Sequence, residues 1–235
     1  MTLEIKRIYI ILYNMEVTMA SRIIHLTISK KLEKYIPINN LNRFKLGQVL
    51  PDAVTSKNKP NVNSHYRVKF ENGQKTMDSL AFFNEFHNEI LNDDLYLGYY
   101  FHLIQDIIFR KFLYYDLGLI KYRSSKGFVD TLYRDYHILN GYLVNKYELS
   151  NDLYVPINFR EEKINSIYPF DIYEFIEDMK NDFNDKINEE PTYFNKEAVE
   201  EYINKCVKIC TEEFFAQQNG EIKFNPKDYV WENKS

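Results

Sequence analysis

Glycine and proline are scarce, with seven of each in 235 residues. That excludes a turn-rich barrel or sandwich and any low-complexity repeat, which need those residues at their corners. Cysteine is scarcer still: Cys206 and Cys210 are the only two. No disulfide framework can be built from them, and a reducing cytoplasm suits the chain better than secretion. Basic residues number 30 against 34 acidic ones, a net charge of -4. The strong basic excess of a dedicated nucleic-acid-binding surface is missing. Also missing is an uninterrupted apolar run of roughly eighteen residues, so no transmembrane segment is expected. Ile8 to Tyr13 follow Lys6 and Arg7 in the manner of a leader. Their apolar core is short, however, and Asn14 and Glu16 stand where small cleavage-site residues belong. Residues 1–18 therefore read as an N-terminal extension, with Met15 or Met19 as alternative starts.

What remains is an ordinary globular composition, 45% hydrophobic and 27% charged, which excludes a mainly disordered chain. At about 150 residues per domain the length suits one large domain or one with an appendage. An all-α bundle is the expectation. Its helices are placed over 20–36, 41–49, 78–91, 95–115, 127–147 and 170–187, with a seventh starting after Asn195. A small hairpin or loop excursion lies near 50–76, turning at Asn72-Gly73. Residues 19–147 form the core, and 148–235 form a C-terminal helical extension packed on it. The 37 Tyr and Phe residues fall mostly on core stripes.

The segment 95–115 is the most informative. From Leu95 to Phe109 it is apolar nearly all round, interrupted only by Gly98, His102, Gln105 and Asp106. A helix of that kind is buried and should be central to the bundle. His102 and Asp106 stand one turn apart on the same face. A buried carboxylate has to be paired, protonated or bound to a cation. Taken alone, the pair reads as a structural hydrogen bond or as two metal ligands. Asp52 in the Leu50-Pro51-Asp52-Ala53 loop, His65 at the start of an extended segment, and His25 on the first helix widen the set. Imidazole and carboxylate are the ligands that borderline cations such as zinc prefer, and a carboxylate can bridge two ions.

The order of these motifs resembles the bacterial zinc-dependent phospholipase C family. The residues that carry the likeness run from Met19 to His25, Gly47 to Ala53, Ser64 to Tyr66 and Leu97 to Asp106, within about residues 19 to 145. The resemblance implies an all-α fold shared with P1-type nucleases. It implies one zinc held by Asp52, His65, His102 and Asp106, with Asp106 bridging to a second ion that His25 also holds. Asp52 would double as general base. The substrate would be a phosphate-containing small molecule or lipid head group, cleaved at a phosphoester or phosphodiester bond. The chain departs from the family at Phe112, where a further ligating histidine stands, and at Gly141, where His137 lacks its carboxylate partner. One or two ions are therefore expected rather than three.

Other residues compete for roles around this set. Asp135 lies on the apolar side of helix 127–147 and reads as an additional ligand, a support behind the ligands, or a helix–helix hydrogen bond. His137 lies off that stripe and reads as a surface residue. His87 shares a stripe with Leu80 and Phe83, so it reads as a buried core histidine or a further ligand. Arg110 is a candidate phosphate contact or a solvated arginine. The cysteines read as core thiols. Two other functions compete with the zinc hydrolase. One is a non-catalytic helical protein with a structural metal. The other is an HD-type nucleotide phosphohydrolase, whose adjacent His-Asp pair is absent because Leu103 follows His102.

Overall fold

The computed structural model describes residues 19–54, 63–71, 74–185 and 187–232. The proposed 1–18 extension and the Asn72-Gly73 turn lie outside those residues. Among the described residues the fold is all-α, with eight α-helices and one small sheet.

Helix α1, Arg22–Leu32, is shorter at both ends than its apolar pattern implies. Ser21 caps its start by accepting from the Ile24 N–H, and the chain leaves helical geometry before Pro37. Helix α2, Leu41–Val49, is capped by Asn40 and runs into a tight 3-10 turn over Leu50–Asp52. Strands β1, Arg67–Lys69, and β2, Gln74–Met77, form the expected hairpin, with Val68 opposite Thr76. A third strand, β3 over Trp231–Glu232, adds to the other edge of β2. Two residues carry no readable alternation, so the sequence offered no sign of it.

The helix expected over 78–91 is two helices, α3 Ser79–Glu85 and α4 His87–Asn92. Between them Phe86 departs from helical geometry and is fully buried, its ring against Phe82 and Tyr96. Helix α5, Asp94–Lys111, is buried from Asp94 to Arg110 and is the axis of the bundle. A π turn over Phe112–Asp116 ends it, and Gly118 stops the run at φ +67°, a conformation that favours glycine. Helix α6, Phe128–Tyr147, and the short α7, Ile172–Met179, follow. Helix α8, Lys196–Gln218, starts at the Asn195 cap. It packs on the core through Tyr202, whose hydroxyl donates to the Gln105 carbonyl at 3.0 Å. Glu213 accepts from the Tyr100 hydroxyl at 2.9 Å.

One crossing sets the geometry at the middle of the bundle. A Cβ on Gly98 would stand 2.3 Å from the Phe44 carbonyl oxygen, and one on Gly47 would stand 2.0 Å from that of Leu95. Helices α2 and α5 therefore meet backbone to backbone, a contact open only to glycine. The crossing brings the end of α2, and the Asp52 turn beyond it, beside His102.

Candidate metal centre

Five side chains from four different elements meet at the middle of α5. His102 and Asp106 come from α5 itself, His25 from α1, Asp52 from the turn after α2, and His65 from the segment before β1. The side chains of His25, His102 and Asp106 are fully buried, His65 is 6% exposed and Asp52 14%. Asp52 is thus the most accessible member of the set.

Four atoms define the centre: Asp52 Oδ1, His65 Nε2, His102 Nε2 and Asp106 Oδ2. His65 Nε2 lies 3.1 Å from Asp52 Oδ1, 3.2 Å from His102 Nε2 and 3.5 Å from Asp106 Oδ2. His102 Nε2 lies 3.3 Å from Asp106 Oδ2 and 3.9 Å from Asp52 Oδ1. Four ligands around a tetrahedral ion at about 2.05 Å would be separated by about 3.4 Å. His65, His102 and Asp106, at 3.2, 3.3 and 3.5 Å from one another, fit one face of such a tetrahedron, while Asp52 groups with His102 and His25. The other Asp106 oxygen, Oδ1, faces His25 Nε2 at 3.4 Å and accepts the Ala20 N–H at 3.1 Å. His25 is also close to the other ligands, its ring stacked on that of His102 with centroids 4.1 Å apart, and it groups with Asp52 and His102.

The tautomers follow from the partners behind each ring. The Gln48 carbonyl oxygen can only accept, so His102 Nδ1, 2.8 Å away, carries its hydrogen and the neutral ring keeps a lone pair on Nε2. His25 is fixed by a longer relay. The Gly98 carbonyl accepts from Gln48 Nε2 at 2.8 Å, and Gln48 Oε1 accepts from Gln105 Nε2 at 2.8 Å. Gln105 Oε1 then accepts from His25 Nδ1 at 2.6 Å. Each step leaves one assignment, and the last leaves the His25 Nε2 lone pair facing Asp106. His65 Nδ1 pairs with the Ser64 hydroxyl at 3.1 Å, and Tyr99 donates to the Ser64 carbonyl at 2.6 Å. Supports of this kind orient metal-binding imidazoles.

His25 Nε2 and Asp106 Oδ2 are buried without a hydrogen-bond partner, and atoms left in that state cost energy. Burial opposes a charged His102, but Asp106 and Asp52 outweigh it and push its pKa up to about 9. Burial likewise opposes the Asp106 carboxylate, but His102 and His25 hold it well below the ordinary range. Asp52 is also lowered: burial acts against it, and His102 and His65 prevail. Desolvation lowers His65. Two carboxylates and imidazole lone pairs around one point are a set that could hold a metal ion.

The centre opens on one side. Asp52, Ala20, Arg22, Tyr136, His137 and Asn140 are among the residues lining a cleft of about 400 Å³. Arg110 is not among the described residues that line it. It is buried in the last turn of α5, where desolvation lowers its pKa to about 10 with Arg67 and Arg123 adding to the effect. A phosphate in the cleft would not meet it there, and it is not the solvated arginine of the alternative reading.

Two other expectations change. Asp135 is fully buried, as its position on the stripe implies, but its oxygens accept the N–H groups of Thr192, Tyr193 and Phe194 at 2.7, 2.7 and 3.0 Å. It anchors the approach to α8 and does not reach the centre. His87 is exposed, not buried, with its ring against Phe83. The break at Phe86 turns it out of the stripe that a continuous helix would have given it. His137 is exposed, as expected. Cys206 and Cys210 are buried free thiols. The residues that sequence reasoning passed over are Gln48, Ser64 and Ala20, each a support behind the ligands. Gln105 carried a visible signal, since it interrupts an apolar helix beside His102 and Asp106.

No family model, curated protein or solved structure matches this chain.

Proposed function

We propose that the chain is a zinc-dependent hydrolase of phosphoester or phosphodiester bonds, of the phospholipase C type that its motif order resembles. The observation that carries this reading is the close approach of Asp52, His65, His102 and Asp106, with Asp52 also lining a cleft. The donors are nitrogen and oxygen without thiolate, the set expected for zinc in a catalytic site rather than for a structural zinc ribbon. When bound there, the ion would lower the pKa of water and neutralise charge developing on phosphate.

The chain's own residues do the rest. His65, His102, Asp52 and Asp106 would hold one ion, and His25 with Asp106 Oδ1 offers room for a second. Asp52 reaches both the centre and the cleft, so it can take a proton from an attacking water as the bond to phosphorus forms. The deep burial of the other four keeps bulk water away from the ligands and strengthens each charge interaction. The substrate class is a small phosphate ester or lipid head group, in a cleft too small for a duplex.

The test is elemental analysis of the purified chain paired with hydrolysis of bis(p-nitrophenyl) phosphate. Activity should disappear with a strong chelator, return with zinc, and fall at least about a hundredfold in Asp52→Asn. A zinc-loaded chain without activity on any phosphate ester would leave a structural metal site instead.

A further inference from the structure

The wall of the cleft facing the centre carries a second titratable pair, one with no part in holding the ion or activating water. His137 Nδ1 lies 2.8 Å from Asp185 Oδ2. A carboxylate oxygen accepts, so Nδ1 keeps its hydrogen and Nε2 is the nitrogen that gains or loses a proton. The His137 side chain is half exposed, at 50%, while Asp185 is 18% exposed. The orienting group is therefore sheltered and the acting ring reaches solvent.

This pair is wired to the centre through short contacts. Asp185 Oδ2 also accepts from Asn140 Nδ2 at 3.1 Å, and Asn140 Oδ1 accepts from the Ser21 hydroxyl at 2.8 Å. The neighbouring Ala20 donates its N–H to Asp106. The cleft is lined by His137, Asn140, Ser21, Ala20 and Asp52 together. An ester bound with its phosphorus near Asp52 would extend its leaving group along that wall.

We propose that His137, oriented by Asp185, donates the proton to the leaving group. This rests on the reading that a phosphate ester is cleaved at the centre. In the step, the oxygen of water forms a bond to phosphorus and its proton passes to Asp52. The bond from phosphorus to the leaving oxygen breaks, and that oxygen takes the proton from His137 Nε2, leaving a neutral imidazole. Solvent at the exposed ring edge returns a proton to His137, and Asp52 releases its own. A surface ion pair clamping α6 to the loop at 185 would be the structural alternative, and it predicts no dependence on the leaving group.

The experiment uses the zinc-loaded full chain and a series of aryl phosphodiesters from p-nitrophenyl to p-methoxyphenyl. Leaving groups of high pKa need protonation and those of low pKa need it less. His137→Gln and Asp185→Asn should both steepen the slope of log kcat/KM against leaving-group pKa, with the loss on the p-methoxyphenyl ester reaching about a hundredfold. A second readout needs no turnover. In ¹⁵N spectra, phenylphosphonate should shift the His137 Nε2 resonance, and this shift should vanish on Asp185→Asn. Wild-type activity with the same slope in both variants, or no phosphonate shift, overturns the assignment of His137 and leaves the hydrolase reading intact. Absence of activity in the zinc-loaded wild type across the series overturns both.

Discussion

The Nε2 atoms of His65 and His102 stand 3.2 Å apart, with carboxylate oxygens on either side. With His102 Nδ1–H committed to the Gln48 carbonyl, a neutral His102 presents its Nε2 lone pair to His65. A hydrogen carried by one of the two nitrogens, or a metal ion, has to lie between them. Without a metal, Asp106 and Asp52 favour a proton on His102 against the cost of burial and push its pKa up to about 9.

Metal retention should depend on the carboxylate that faces both sides. Asp106→Ala removes the anion shared by His25, His65 and His102, so elemental analysis after dialysis should find zinc lost from this variant. Cys206→Ala and His137→Ala should keep it, since neither residue belongs to the five-residue centre. Full zinc occupancy in Asp106→Ala would make His102 and Asp106 a structural pair only.

The proton and the metal compete, and this gives a pH dependence of defined sign. The folded pKa of His102 is raised from 6.5 to about 9. Its contribution to the metal-free chain is therefore complete below the unfolded value and is lost as pH rises towards 9. Thermal melts in a chelator should show Tm falling across pH 6.5 to 9. With saturating zinc the trend should weaken or reverse, because the departing proton frees Nε2 for the ion. The zinc-induced gain in Tm should widen with pH over that window. A gain that is constant with pH would break the link between His102 and the metal.

Some of this centre was legible and some was not, for physical reasons. A carboxylate one turn from an imidazole in an all-round apolar helix announces a burial problem, and His102 with Asp106 could be read from that alone. Asp52, His65 and His25 came from the order of motifs, because no local pattern ties three separate elements together. The inward face of Asp135 was readable from the helical period, but its partners are backbone amides 57 to 59 positions away. No periodicity encodes such a contact. His87 was misplaced because the burial of Phe86 interrupts a helix that has no proline or glycine to mark the break. The pairing of His137 with Asp185 escaped for a similar reason, since a loop carboxylate has no phase to read.

The glutamine relay makes a separate prediction. Gln105 presents its oxygen to His25 Nδ1 only because its amide is held by Gln48, which is held in turn by the Gly98 carbonyl. Gln105→Met keeps volume and helix propensity but removes the acceptor, so His25 is free to adopt the tautomer that points a hydrogen at Asp106. Loss of such a support typically weakens metal binding by about 10–100-fold. A competition titration against a chromophoric chelator would measure it. If two ions bind, the class affected should be the one that His25 holds. Unchanged affinity of both classes would show that packing alone holds the ring.

Gly98→Ala opposes two effects of known sign. Alanine favours a helix by about 1 kcal/mol over glycine, so in an uncrowded helix the substitution would stabilise. Here the added methyl would stand 2.3 Å from the Phe44 carbonyl oxygen and 3.1 Å from the Gln48 nitrogen. The first obstacle is backbone and cannot rotate aside, so α2 must shift away from α5. Forced overpacking of that kind costs typically about 1–3 kcal/mol and sometimes more, which exceeds the propensity gain. A net loss of about 2 kcal/mol is expected, read as a lower midpoint in denaturant unfolding. The shift should also be felt at the centre. Gln48 carries the carbonyl that fixes His102, and Asp52 follows it on the same rigid turn. Zinc affinity should therefore fall together with stability in Gly98→Ala, although the atoms nearest the added methyl belong to Phe44, Gln48 and Gly47 and to no ligand. A stabilised variant with full zinc affinity would mean that the two helices can separate without moving Asp52 from His102, and the crossing would lose its role in building the site.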